Sequence, residues 1–248
     1  MTDPTQLSQL LAGETPGRIL AAAMAAYPGA AMACSLGLED VALVHLASQL
    51  PAPPRVFVLD TGRLPPETYD VLAALRRRYR LAIEVYFPRT EAVEAFVTEH
   101  GPNAFRDSLE LRQACCRIRK VEPLARALAG APAWITGLRR AQGPTREAIR
   151  LFEADPAHGG IIKISPLLDW SLAQVRAFVA EQHIPYNPLH DQGYPSIGCA
   201  PCTRAVAPGE DERAGRWWWE QPDHKECGLH RAPTQVAGRP YPESNHDR

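Results

Sequence analysis

The sequence predicts an α/β fold with a mostly parallel, doubly wound sheet. Short apolar runs of strand length alternate with segments of helical period, the pattern of βαβ units whose sheet is covered on both sides. Size agrees: at 248 residues, 45% hydrophobic and 22% charged, the chain can bury a substantial core and is ordinary in composition for a globular protein.

The elements follow in order. Ala30–Cys34 is a short apolar strand, and Leu38–Gln49 a helix with Val41, Leu43, Val44 and Leu46 at helical spacing. Arg55–Leu59 is a second strand, Pro65–Tyr79 a helix opened by prolines, and Leu81–Tyr86 a third strand. Thr90–His100 reads as helical, as does Arg112–Ala129 through Ile118, Val121, Leu124 and Leu128. Ala133–Thr136 and Ile161–Ile164 are further strands. Ser171 caps a helix running to about Gln182, with Leu172, Val175, Phe178 and Val179 inward. After Pro185 proline, glycine and charge dominate, and no period persists; such a segment needs an anchor. We expect a single α/β domain over 1–230, its catalytic C-terminal segment at about 203–230, and a flexible tail over 231–248.

The net charge of −1 argues against a general electrostatic grip on nucleic acid. Only Lys120, Lys163 and Lys225 are lysines; the remaining cations are arginines, which reflects a GC-rich genome, paired N–H recognition of phosphate or sulfate oxygens, or both. No apolar run reaches the roughly 18–20 residues of a membrane span, and the start carries no secretory pattern. The expected location is cytoplasmic, with no membrane partner. Paired thiols there bind metal more often than each other.

Two strand ends carry ligand-like residues. Cys34-Ser35-Leu36-Gly37-Leu38-Glu39-Asp40 turns from strand to helix, where amides and the helix dipole favour an anion, although an ordinary helix cap explains it as well. It has neither the Gly-Lys-Ser/Thr of a Walker loop nor a full Gly-x-Gly-x-x-Gly. Val58-Leu59-Asp60-Thr61-Gly62 ends the next strand and could line an adenine and ribose, or be a simple turn.

Five of the six cysteines form one arrangement: Cys115-Cys116, Cys199-Ala-Pro-Cys202, and a lone Cys227. Two tight pairs far apart in sequence suit zinc or an iron–sulfur cluster. Adjacent helical side chains point about 100° apart, which strains a single tetrahedral ion. A cubane offers each thiolate its own iron, so the geometry leans towards [4Fe–4S]. Lys120, one helical turn beyond Cys116, could offset a tetrathiolate cluster's charge or reach a substrate anion. Cys227 sits in His224-Lys225-Glu226-Cys227-Gly228-Leu229-His230, where cations would favour its thiolate; the bland alternative is a stray surface cysteine. Cys34 reads as an inert core thiol. In Arg213-Ala214-Gly215-Arg216-Trp217-Trp218-Trp219 the arginines suit a ligand and the tryptophans an anchor for the coreless segment.

Together these residues resemble the assimilatory adenylyl-sulfate (APS) reductases of bacteria and plants, within the phosphoadenylyl-sulfate/adenylyl-sulfate reductase family. The resemblance runs from Ser35 to His230 and is most specific at Cys115-Cys116-x-x-x-Lys120, Cys199-x-x-Cys202 and Glu226-Cys227-Gly228-Leu229-His230. It implies an adenine-nucleotide α-hydrolase/PP-loop-like fold, with a [4Fe–4S] cluster on Cys115, Cys116, Cys199 and Cys202 tying down the irregular C-terminal segment. It further implies that Cys227 attacks the sulfur of adenosine 5′-phosphosulfate, that AMP leaves, and that thioredoxin or a similar dithiol protein releases sulfite from the S-sulfocysteine, in sulfate assimilation. By the same resemblance Lys120, Arg213, Arg216 and His230 act on phosphate and sulfate. Ser35 and Gly37 hold phosphate, Leu59, Thr61 and Gly62 hold the adenosine, and Arg139 and Arg140 add to the anion site. Homo-oligomers are common in the family.

The first loop departs from the family's Phe-Ser-Gly-Ala-Glu-Asp, its serine standing one place early as in the 3′-phosphoadenylyl-sulfate (PAPS) reductases. PAPS is therefore the alternative substrate, although most PAPS reductases lack the cluster cysteines. Two rivals differ in kind. A PP-loop tRNA sulfur transferase would use a Ser-Gly-Gly-x-Asp-Ser loop, which is absent here. A zinc-stabilised nucleotide-binding module would leave Cys227 incidental.

Overall fold

The computed structural model describes residues 3–143, 146, 148–221 and 229. Two helices missing from the sequence reading come first, α1 (Pro4–Leu10) and α2 (Pro16–Ala26). Asp3 and Thr15 cap them, each just before a proline in the first turn, where its lost N–H costs nothing. The chain continues through β1 (Ala31–Ala33), α3 (Leu38–Ala47), β2 (Arg55–Leu59), α4 (Pro66–Arg78), β3 (Ile83–Tyr86), α5 (Thr90–His100), α6 (Leu109–Cys116), a π-helical turn (Arg117–Val121), α7 (Glu122–Leu128), β4 (Ala133–Ile135), β5 (Phe152–Asp155), β6 (Ile161–Ile164) and α8 (Leu172–Glu181).

These strands form one sheet in the order β3-β2-β1-β4-β6-β5, parallel except for the β5–β6 pair. The doubly wound, mostly parallel expectation therefore holds, with an antiparallel edge strand added. The sequence reading passed over β5, Phe152-Glu153-Ala154-Asp155, because half of it is acidic. Its outer side is covered by α1, where Phe152 N–H donates to Ser8 Oγ at 3.0 Å and Ser8 Oγ donates back to Phe152 O at 3.1 Å.

Strand alternation sorts the core. Met32, Val56, Val58, Ala133 and Ile135 face one cluster with Leu20, Val41, Leu43 and Val175, while Ala31, Phe57 and Trp134 face the other with Leu124 and Leu128. A third, smaller cluster joins Phe96 and Phe105 to Cys115, Cys202 and Trp217.

The stretch predicted as one helix from Arg112 to Ala129 is instead α6, a π turn and α7. Pro123, in the first turn of α7, has no N–H to give the carbonyl four residues back and its ring crowds it; the widened turn before it relieves both. Beyond α8 the described residues run in short turns, with a bridge between Thr203 and Arg216. Backbone bonds Arg204 N–H to Gly215 O (3.0 Å) and Trp217 N–H to Cys202 O (3.2 Å) fold this segment back on the second cysteine pair.

Candidate active site

The strand order changes direction at β1 and β4, and a large cavity lies there beyond the carboxyl ends of the strands, with about 1320 Å³ of empty space including its open mouth. The loop after β1 forms one wall. Asp40, buried in the first turn of α3, accepts from Ser35 N–H and Ser35 Oγ–H, both at 2.6 Å, and from the Gly137 amide. Leu36 is forced to a left-handed φ of 66°, and Gly37 begins α3 without a side-chain cap. Burial raises the Asp40 carboxyl to about 6, despite the Ser35 bonds that pull it down. A β-carbon at Gly137 would overlap Asp40 Oδ1 and Glu39, so this crossing of the β1 and β4 loops needs glycine.

The loop after β2 joins this cavity to a second one. Asp60 accepts from Gly62 N–H at 2.8 Å and Tyr69 Oη–H at 2.9 Å. The Thr61 carbonyl accepts from Arg119 at 2.6 Å, the Cys199 thiol donates to Thr61 Oγ1 at 3.2 Å, and Ala200 N–H donates to Arg63 O at 2.8 Å. Both cysteine pairs are thus fastened to the β2 loop.

Cys115, Cys116, Cys199 and Cys202 all line the second cavity, which has about 380 Å³ of empty space including its mouth. Burial raises the Cys115 thiol and, as the largest cause, pushes Cys202 up to about 12. Gathered thiolates therefore require positive charge, and the walls provide it. Arg119 donates to Cys115 and Arg112 to Cys116, while Arg216 and Lys120 lower Cys202. Arg112 is 1% exposed and forked onto Glu220 by two 2.8 Å bonds. Trp217, 1% exposed, has the Arg112 and Arg216 guanidinium carbons 4.9 and 4.7 Å from its ring centroid. Its Nε1–H meets no acceptor among the described residues. Gly198 is where a β-carbon would collide with the Arg216 guanidinium. Among the described residues no group of three or more His, Cys, Asp or Glu is placed to hold a metal ion. The donor set of four thiols around one cation-walled space is of the kind that suits a thiolate-bound group. Lys120, Arg216 and Trp217 line both cavities.

Residues 29–205 match the phosphoadenosine phosphosulfate reductase domain family. The chain belongs to that family. It is 54% identical over 211 residues to "Adenosine 5'-phosphosulfate reductase" of Allochromatium vinosum, covering 84% of this chain and 82% of that protein. It is also 54% identical over 198 residues to the protein of the same name from Burkholderia cepacia, covering 80% and 79%. The crystal structure of phosphoadenylyl-sulfate (PAPS) reductase from Candida auris, a phosphate complex, superposes with a TM-score of 0.71 at 30% identity over 82% of this chain and 96% of that one. An FMN adenylyltransferase from Candida glabrata shares the fold alone, with a TM-score of 0.55 at 14% identity over 84% of this chain and 67% of that one.

Of the residues the sequence singled out, Ser35, Gly37, Leu59, Thr61, Lys120, Arg213 and Arg216 line the large cavity of this family member. Gly62 lies just outside, at φ 69° beside Arg119. Arg139 is placed elsewhere: 1% exposed, it is clamped between Glu39 (2.8 Å) and Glu212 (3.1 Å) and does not line the cavity. Arg140 pairs with Asp169 at the surface. Cys227 and His230 lie outside the described residues, but Leu229 between them in sequence lines the cavity and packs near Phe57 and Leu124. Sequence reasoning missed Glu39, Gln142, Arg146, His190 and Glu212, which also line it. Glu39 stands in the first loop without having been given a role there; Gln142, Arg146, His190 and Glu212 stand in no spaced motif, and only the fold brings them together.

Proposed function

We propose that this chain reduces adenosine 5′-phosphosulfate to sulfite and AMP in sulfate assimilation. The observation that carries this reading is the cationic wall of Lys120 and Arg216, shared by a nucleotide-sized cavity at strand ends and a cavity lined by four cysteines. The names of the half-identical relatives support it.

In this reading the adenosine lies against Leu59 and Thr61, and its phosphosulfate faces Lys120, Arg213, Arg216 and His230. Ser35 serves mainly to hold the β1 loop through Asp40, and the loop amides meet phosphate. Fixed cations lessen the repulsion between a thiolate and the sulfonyl group and stabilise the charge that builds on the leaving phosphate. The Cys227 thiolate attacks sulfur, an S–S bond forms, the S–O bond to the phosphate breaks, and AMP leaves with the electron pair. A thiolate of thioredoxin or a similar dithiol protein then attacks the Cys227 sulfur and expels sulfite. The second thiol resolves the mixed disulfide, so the dithiol supplies both electrons.

Cys115, Cys116, Cys199 and Cys202 would hold a [4Fe–4S] cluster, pinning the C-terminal segment to α6 and the β2 loop. When bound, that group supplies a fixed negative charge that orients the surrounding cations. We assign the whole of 1–230 to one domain, place the protein in the cytoplasm, and expect a homo-oligomer. The early serine of the first loop makes PAPS the comparison substrate.

The test is a thioredoxin-coupled sulfite assay with APS and PAPS in parallel, using wild type and Cys227→Ser. The variant should lose sulfite production while still binding AMP. Turnover near the wild-type rate in the variant, or no turnover of either substrate by wild type, overturns the reading.

A further inference from the structure

His190 lies in the short helical turn Pro188–Gln192, beyond α8, and lines the large cavity. It is 5% exposed. Its Nδ1 is 2.7 Å from the Tyr194 carbonyl oxygen, which can only accept, so the ring proton sits on Nδ1. Nε2 is buried and meets no hydrogen-bond partner among the described residues. A buried polar atom left without a partner in a ligand cavity is costly unless a ligand or water supplies one.

The chemistry of that missing partner is restricted. Burial, with the Arg176 charge, lowers the ring's tendency to protonate, outweighing the Tyr194 bond and the Glu39 and Asp191 carboxylates. A neutral imidazole protonated on Nδ1 presents only a lone pair at Nε2, so the ligand must donate. Ionised phosphate and sulfate oxygens have no hydrogen to give to that lone pair. The cations Lys120, Arg213 and Arg216 on the same cavity already suit those groups. What remains on a bound adenosine nucleotide are its ribose hydroxyls and the adenine amino group.

We propose that His190 is a positioning residue for the nucleoside: its Nε2 accepts a hydrogen bond from a hydroxyl or amino hydrogen of the bound nucleotide, held in register by the Nδ1–H bond to Tyr194. The assignment rests on the nucleotide reading of the cavity. It makes His190 part of how the site recognises the nucleoside end of its substrate, and a phosphate attached at the donating oxygen would remove the hydrogen that His190 takes.

The experiment is calorimetric binding of AMP, 2′-deoxy-AMP, 3′-deoxy-AMP and IMP to wild type, His190→Asn and His190→Gln, with thermal midpoints alongside. Asparagine keeps a donor for the Tyr194 carbonyl but removes the Nε2 acceptor; glutamine can return an acceptor near that place. AMP should bind His190→Asn about three- to tenfold more weakly, with recovery in His190→Gln. One analogue, the one lacking the donating group, should bind wild type and His190→Asn equally. A loss in His190→Asn that is the same for all four nucleotides, or absent, overturns the assignment while leaving the nucleotide site intact. Should wild type bind none of the four, the nucleotide reading fails and the assignment falls with it.

Discussion

The two cavities share a wall and are built on opposite principles. The large one is framed by main chain: the ends of β1, β2 and β4, held in register by the parallel ladder, with glycines where loops cross. The thiol cavity has no ladder behind it. It is assembled from the end of α6, the π turn, a short turn at Ala200–Cys202 and a returning segment, fastened by a few backbone bonds and by the buried Arg112–Glu220 pair. A ladder-framed site tolerates the loss of a side chain, whereas one held by buried ion pairs depends on each partner.

That contrast can be broken experimentally. The largest effect should come from Glu220→Ala, which leaves the buried Arg112 guanidinium without its forked partner beside Cys116. A one-sided loss of a buried pair costs about 3–5 kcal/mol, on the order of 10 °C in thermal midpoint for a chain of this size. A melting curve unchanged within a degree or two would mean that the thiol side is not held by charge.

Next in size is Lys120→Ala on the shared wall. Removing one fixed cation from a developing charge typically lowers kcat/KM by about 10²–10³-fold. The same variant should change both AMP affinity and the visible spectrum of anaerobically purified protein. If neither moves, the wall does not couple the two cavities.

The smallest effect concerns the ladder side and pH. Asp40 has its folded-state carboxyl raised to about 6 from an ordinary 3.8, so between those values the folded protein binds the extra proton and the unfolded chain does not. Its contribution is complete below about pH 4 and is lost as pH rises through about 6. In Asp40→Asn, urea midpoints should lack that decline, the difference reaching at most about 3 kcal/mol. Parallel pH profiles for the two proteins would show that Asp40 is not titrating in this range.

Much of the frame was legible because it is written in local pattern. Arg55–Leu59, Thr90–His100 and Ile161–Ile164 have the predicted bounds, and Ser171 caps α8 through the box it makes with Gln174. The edge strand β5 was not legible, since an acidic strand reads as polar until α1 is known to cover it. The π turn was not either, because the apolar spacing of 112–129 suits one continuous helix and only Pro123 hints otherwise. Among the described candidate site residues, several in motifs line a cavity: four cysteines, Lys120, Arg213 and Arg216. Arg139 shows the limit. The family resemblance puts Arg139 at the anion site, yet in the structure it is clamped between Glu39 and Glu212.

By itself the sequence determined the α/β alternation, the paired cysteines and the cations spaced around them, because period and spacing are local properties of the chain. Only the tertiary structure decided which of those cations face a ligand space and which neutralise a carboxylate. It also brought His190, Glu39 and Glu212 to a common cavity and made Lys120, Arg216 and Trp217 the wall between two cavities. The reason is physical: whether a charge is available to a ligand depends on what else is buried beside it, and those neighbours come from distant parts of the chain.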